Sequence, residues 1–330
     1  MFNFESASYR YEQLCESEYW ESIYEHLRAT MGKQMDDYDF LLWSDTGVLK
    51  SRGPIGGRHE KRPRVLLYIS DETASVPFHL TSKFAAIFKN YLPGDFPAER
   101  IYSMPLGHVN GVPQCAPVAV NERKYNVFFS GCPQVSRAGF FGILSKLASS
   151  ADRLPVTKWD LMQCAAESEQ PSVFDMSGAF PGSYIHMTPE FLQGLDCATY
   201  GKMLQESKIA LCPAGWKSAE TYRHFEAMRA GCIVVSGPLP NTRLYRDSPI
   251  VCLDNWDRLG STITELLKDE VRMLELQRRT LKWWQEVCSE KAVAEYIRTR
   301  LVGNCAAENA FDQVPLMETP GARGMSDFLV

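Results

Sequence analysis

The chain has 330 residues, 45% of them hydrophobic and 12% aromatic, enough to bury the cores of two ordinary domains and far from any disordered composition. A formal net charge of −5 argues against a protein that lives on nucleic-acid phosphates or anionic membranes, where a basic surface supplies most of the affinity. Ten cysteines are scattered through apolar and helical stretches, with no CxxC pair and no Cys/His ligand spacing, and are read as reduced core thiols.

From the N-terminus, "MFNFESASYRYEQLCESEYW" lacks a basic start followed by an apolar run. No uninterrupted apolar stretch reaches the roughly 18 to 20 residues that a spanning helix needs. The expected location is therefore the cytoplasm, with at most peripheral contact with a membrane. Residues 9 to 32 read as a helix, because Tyr11, Leu14, Tyr19, Trp20, Ile23 and Leu27 recur at roughly helical spacing. "DFLLWSDTG" and "RVLLYISDE" are apolar runs of strand length, "FHLTSKFAAIFKNYL" reads as a helix closed by Pro93 and Gly94, and "RIYSMPLGH" as a further strand. This alternation is that of an α/β unit.

"GVPQCAPVAVNER" has little periodicity and two prolines, which places a linker and a domain boundary near residue 120. The expected organisation is residues 1–120, residues 121–302, and a weakly patterned tail over 303–330. Within the second unit, "KYNVFFSG" reads as a strand, "RAGFFGILSKLAS" as a helix, and "PVTKWDLM" as a strand. An irregular stretch holding "SYIHM" follows, then helices over "PEFLQGL" and "ATYGKMLQES", the strand "SPIVCL", and long helices from about Ser261 to Val302.

The most informative stretch lies between Lys208 and Ser236. "KIALC" and "CIVVS" are continuous apolar runs, the pattern of strands covered on both faces of a parallel sheet. Between them Ser218 can cap a helix from about Ala219 to Ala230, and Gly231 suits the left-handed position that ends it. In such a βαβ unit ligands sit outside the carboxyl ends of the strands, where a helix start offers free N–H groups to an anion. Gly215 allows close backbone approach, Lys217 and Ser218 add a charge and a hydroxyl, and Arg223 and Glu226, three apart, share a helix face. A guanidinium can grip phosphate in a bidentate way, and a carboxylate can accept both hydroxyls of a ribose. Taken alone, such a pair is more often an exposed intrahelical ion pair; its company shifts the odds toward a nucleotide. The Walker A pattern fails here, and no GxGxxG follows a predicted strand, which argues against NAD and FAD.

"SKIALCPAGW…SAETYRHFEAMRAGCIVVSG" resembles the donor-binding domain of exostosin-like glycosyltransferases, and "NVFFSG…R" is similar to that domain's first strand, with Arg137 as its arginine. The match covers about thirty residues closely. Val234 stands where that family usually has proline, and the N-terminal half lacks family-length insertions, so acceptor choice does not carry over. The resemblance implies a GT-B architecture, two Rossmann-like domains facing across a cleft, with a nucleotide-sugar donor, most readily UDP- or GDP-linked, held by the second domain. It implies no obligatory metal and no cofactor, with Arg137 and Arg223 on the diphosphate and Glu226 on the ribose. His186 is placed where a nucleobase would be read.

Inverting transfer to a glycan or glycoconjugate hydroxyl needs a base. Asp71 and Glu72, closing "VLLYIS", are preferred to Asp45, which closes "FLLW", although paired acids after a strand are as often caps or turn residues. His79 and His108 are lesser cleft candidates, Arg52 and Arg58 form a basic, Gly-rich loop that would suit a charged acceptor although such loops are commonly just solvated, and "DDYD" has nothing after it to support a metal site. "KWW" at 282–284 is the apolar face of a C-terminal helix, one that could cross back to the first unit. A nucleotide-sugar epimerase and a non-catalytic nucleotide-sugar or glycan-binding protein are the alternative functions on this scaffold.

Overall fold

The computed structural model describes residues 1–6, 10–44, 62–148, 172–188 and 193–311. In chain order the elements are β1 (Asn3–Ser6), α1 (Ser17–Met31), β2 (Asp39–Ser44), β3 (Arg64–Ile69), β4 (Ala86–Lys89), β5 (Ile101–Ser103), β6 (Tyr125–Gly131), α2 (Ala138–Leu147), β7 (Ser172–Phe174), β8 (Tyr184–Met187), α3 (Cys197–Gln205), β9 (Ser207–Cys212), α4 (Tyr222–Arg229), β10 (Ile233–Ser236), β11 (Val251–Cys252), α5 (Leu259–Lys268), α6 (Glu270–Trp283) and α7 (Glu290–Phe311).

Two sheets divide the chain. The first has the order β1-β2-β3-β4-β5, every pair parallel; the second has the order β11-β10-β9-β6-β8-β7, parallel except where the edge strand β7 runs against β8. Apolar residues cover both faces of each sheet, so adjacent residues of one strand enter different cores. In β3, Val65, Leu67 and Ile69 join the cluster between the units, while Leu66 and Tyr68 join the outer one. In β9, Ala210 and Cys212 face the shared cluster, and Ile209 and Leu211 the outer core of the second sheet. These strands are therefore continuous apolar runs, as parallel strands buried on both faces must be. The result is the expected α/β class, two parallel-sheet units facing across a cleft.

The last described helices return to the first unit. After α6 the helix widens into a π turn at Trp284–Cys288, Trp284 enters the shared core, and α7 packs along α1. "KWW" is thus the packing face expected of it, with Trp283 donating its indole N–H to the Leu244 carbonyl at 3.1 Å.

Several expectations are corrected. The N-terminal helix starts at Ser17, not residue 9, and a short strand precedes it: β1 pairs with β2, and Asn3 Nδ2 donates to Asp39 at 2.9 Å. "FHLTSKFAAIFKNYL" is a 3-10 turn at Phe78–Leu80 followed by β4, because a run buried on both faces between β3 and β5 is satisfied by sheet pairing. "SYIHM" is strand β8. The helix after β9 starts at Tyr222 rather than Ala219: Thr221 is the extended N-cap, and its hydroxyl and backbone N–H both meet His224 Nδ1. Ser218 instead turns inward and accepts the Glu220 N–H at 3.1 Å. Gly231 takes the left-handed conformation expected of it, at φ 70°. Not all thiols are core residues: Cys212, Cys232 and Cys288 are, whereas Cys15 and Cys252 are exposed, all of them free. "PVTKWDLM", most of "PEFLQGL", Asp45, Arg52 and Arg58 lie outside the described residues. Among the described residues no helix is long and apolar enough to cross a membrane.

Candidate active site

The cleft between the sheets holds a cavity of about 520 Å³. Its first wall comes from the N-terminal unit, with Cys15, Glu72, Tyr91 and Val109; the opposite wall is built from the ends of β6 and β9 and the start of α4. Two residues at the strand ends of the first wall, Ser70 after β3 and Tyr91 after β4, are held at φ 67° and 54°. A non-glycine side chain there costs on the order of 1 kcal/mol, and such strain gathers at ligand-binding edges.

Opposite them stand two guanidiniums. Arg137, at the turn into α2, is buried; its Nε donates to the Ala214 carbonyl and its Nη1 to the Cys132 carbonyl, both at 2.7 Å. Burial, with the positive charge of Arg223 adding to it, pulls the Arg137 pKa down to about 10. Arg223, on the first turn of α4, anchors Nη2 on the Ser130 carbonyl at 2.6 Å and lies over the Phe129 ring, 5.0 Å from its centroid. Its Nε and Nη1 are buried and have no partner. Among the described residues neither arginine forms an ion pair, so two like charges share one pocket with N–H groups to spare. An anion is what such a pocket lacks.

The backbone is shaped around the pair. Gly131 ends β6 where a Cβ would stand 2.7 Å from Arg223 Nη2 and 3.3 Å from Arg137 Nη1. Gly215, in the loop after β9, receives a bond from Ser136 Oγ on its carbonyl and donates its N–H to the Ser218 carbonyl.

Glu226, one turn beyond Arg223, is buried on the same wall. Its Oε1 accepts the Val109 N–H from across the cleft at 3.0 Å, and Tyr200 donates a hydroxyl to the same carboxylate. Burial raises its pKa, and these two bonds counter the rise. His186 lies one layer behind the wall, its Nδ1 3.0 Å from Ser130 Oγ, and burial lowers its pKa. It therefore stands behind the carbonyl that anchors Arg223. Lys217 is exposed, its Nζ 4.1 Å from the centroid of the exposed Trp216 ring at the rim.

The acidic pair after β3 separates. Glu72 lines the cavity and accepts the Lys217 backbone N–H at 3.2 Å. Asp71 turns into the first unit, where it pairs with buried Lys89 at 3.3 Å and accepts from Tyr68, Thr73 and Ser75. Burial alone would raise the Asp71 pKa; Lys89 and the bonds from Ser75 and Thr73 hold it below the ordinary value. His79 is exposed on its 3-10 turn, and buried His108 is tied to Glu290 at 3.0 Å, so neither lines the cavity. In "DDYD", Asp36 and Asp37 close a 3-10 turn and Asp39 opens β2; among the described residues no three His, Cys, Asp or Glu side chains gather as a metal site.

One of the wall carboxylates among the described residues is not among those the sequence points to. Glu220 is buried in the loop before α4, between Tyr245 of its own unit and Lys89 of the other. Its spacing carried no signal, because its surroundings come from distant parts of the chain.

No protein-family model matches the chain, and no curated protein matches it. Among solved structures it is similar to TarM, at 10% identity over 83% of this chain and 57% of that one, with a TM-score of 0.46. It is similar also to a sucrose-phosphate synthase from Thermosynechococcus elongatus, at 13% identity over 90% of this chain and 80% of that one, TM-score 0.44. A glycosyltransferase from Rickettsia africae is covered over 98% of its length by 94% of this chain, at 9% identity and a TM-score of 0.45. The chain spans little more than half of TarM. At these identities and scores, what the cleft does is a question for this chain's own residues.

Proposed function

We propose that the chain is an exostosin-like glycosyltransferase that moves a sugar from a nucleoside-diphosphate donor, UDP- or GDP-linked, to a hydroxyl of a glycan or glycoconjugate, with inversion and without an obligatory metal. The observation that carries this reading is the pair Arg137 and Arg223, two guanidiniums in one cavity, with Arg223 Nε and Nη1 buried and unpartnered. Fixed donors aimed where negative charge develops on a departing diphosphate supply the electrostatic stabilisation that this chemistry needs. Two arginines provide the charge that a divalent cation supplies in other phosphate sites.

The remaining wall residues fit the same donor. Glu226 keeps acceptor capacity for ribose hydroxyls beside its two bonds, Gly215 lets the diphosphate approach the backbone, and Lys217 and Trp216 stand at the rim. His186 and Ser218 serve from behind: one holds Ser130 in place for Arg223, the other shapes the loop. The first unit then presents the acceptor.

The test is binding and release measured together in EDTA. UDP, GDP, CMP, dTDP and their sugars are screened by thermal shift, because a ligand of the native state raises its apparent melting temperature. Nucleoside diphosphate set free from the stabilising sugars is then measured. Stabilisation by one nucleotide family, lost in Arg223→Ala, supports the donor site. No response from well-folded protein would sink it.

A further inference from the structure

The cavity wall carries three carboxyl groups among the described residues, and they are not equivalent. Glu226 takes the Val109 N–H and the Tyr200 hydroxyl, and Glu72 takes the Lys217 N–H. Glu220 differs. It is 2% exposed; its Oε1 accepts the Tyr245 hydroxyl at 2.7 Å, and its Oε2 is buried with no donor at all. Buried carboxyl oxygens are rarely left so in folded proteins unless a ligand completes them.

Among the described residues three titratable groups face this carboxyl. Tyr245 comes from its own unit; Lys89 and Tyr91, at the end of β4, come from across the cleft. Lys89 is already paired with Asp71 and donates to the Asp71 and Asn90 carbonyls, so one lysine serves two acids. Burial accordingly pushes the Glu220 pKa up to about 7, with the Tyr245 bond and Lys89 pulling against it. A general base works best when its pKa lies near the operating pH and it has an oxygen without another donor to take the proton.

We propose that Glu220 Oε2 takes the proton of the sugar-accepting hydroxyl, an assignment that rests on the glycosyltransferase reading. The acceptor oxygen forms its bond to the anomeric carbon as the bond from that carbon to the phosphate oxygen breaks. The electron pair of the broken bond leaves on the diphosphate, held by Arg137 and Arg223, and the acceptor's proton passes to Glu220. Glu220 thus replaces Asp71 and Glu72 as the base. Tyr245 is a positioning residue: it fixes Oε1 and leaves Oε2 to the substrate.

The experiment compares wild type with Glu220→Gln and Glu220→Asp. UDP and GDP affinities are measured by calorimetry, and nucleoside diphosphate release is followed from UDP- and GDP-sugars, in water and with mixed oligosaccharides. Glu220→Gln is expected to hold nucleotide Kd within about threefold while kcat falls by roughly 100-fold or more. The rise of wild-type kcat through about pH 7 should vanish in it, and Glu220→Asp, which keeps a carboxylate if Gln disturbs the fold, should recover part of the rate. A Glu220→Gln enzyme within about fivefold of wild type, or one that loses Kd and kcat together, overturns the assignment. So does a wild type that binds UDP or GDP yet releases neither from any donor. A wild type that binds no nucleotide fails earlier and differently, taking the glycosyltransferase reading down before any variant is made.

Discussion

Two charged pairs flank the cleft, and they are built in opposite ways. Asp71 and Lys89, behind the first wall, are fully buried and of opposite sign: the carboxylate collects Tyr68, Thr73 and Ser75, and the ammonium collects two carbonyls. Arg137 and Arg223, on the second wall, share a sign, and Arg223 keeps two N–H groups unpartnered. The desolvation cost of the first pair is met inside the chain, whereas that of the second is left for something outside it. A cluster complete in itself braces a fold; an incomplete one waits for a ligand. This difference separates Asp71 from the catalytic role its place after a strand suggested.

The largest effect should come from breaking the complete pair. Lys89→Met leaves Asp71 buried without its cation, and unfolding in urea should show a loss of roughly 3–5 kcal/mol. A loss below about 1 kcal/mol would mean that the hydroxyls alone hold Asp71, and that the contrast between the pairs is one of sign only.

Glu220 gives the next effect, through pH. Its folded pKa of about 7 lies above the ordinary 4.5, so its contribution to stability is complete below about pH 4.5 and is lost as pH rises through 7. A shift of this size is worth on the order of 3 kcal/mol. Buried His224, pulled down to about 3, works oppositely: its contribution is present above the ordinary 6.5 and falls away on acidification. The useful quantity is therefore the difference between Glu220→Gln and wild type, which should shift in the variant's favour between pH 4.5 and 7. A flat difference would show that Glu220 titrates as an exposed acid. Opening the incomplete pair should then cost binding and spare the fold: Arg223→Ala is expected to lose roughly 1.5–3 kcal/mol of nucleotide affinity by calorimetry, with its melting temperature unchanged or raised.

What the residues disclosed in advance follows the same division. "KIALC" and "CIVVS" were legible as central strands because their burial on both faces is written into the strands themselves, and a βαβ unit carries Gly215, Arg223 and Glu226 to one edge. β4 was not legible: "FAAIFK" inside a longer apolar window is compatible with a helix, and only β3 and β5 on either side decide for a strand. The start of α4 was misplaced because its capping partner is His224, where the sequence pattern looks for Glu or Gln. Glu220 was illegible for a deeper reason. What distinguishes it is not its neighbours in "KSAET" but Tyr245 and Lys89, brought from both units by the closing of the cleft.

The smallest effect asks the sharpest question, because it removes no charge. Gly131 ends β6 beneath both guanidiniums, and a methyl group there would meet Arg223 Nη2 at 2.7 Å and Arg137 Nη1 at 3.3 Å. The shortest contact is the far end of a flexible side chain, and Phe129 Cζ at 3.3 Å has to give by only a few tenths of an ångström, so Gly131→Ala should fold and move the arginines instead of the strand. The first bond at risk is that of Arg223 Nη2 to the Ser130 carbonyl, which anchors the guanidinium whose Nε and Nη1 are unpartnered. Nucleotide affinity should fall by about 1 kcal/mol, roughly fivefold, with the melting temperature nearly unchanged. If affinity also holds, the resting position of Arg223 is not its binding position. The incomplete pair would then be a reservoir of charge that the ligand arranges for itself, and the contrast with Asp71 and Lys89 would lie in freedom to move as much as in missing partners.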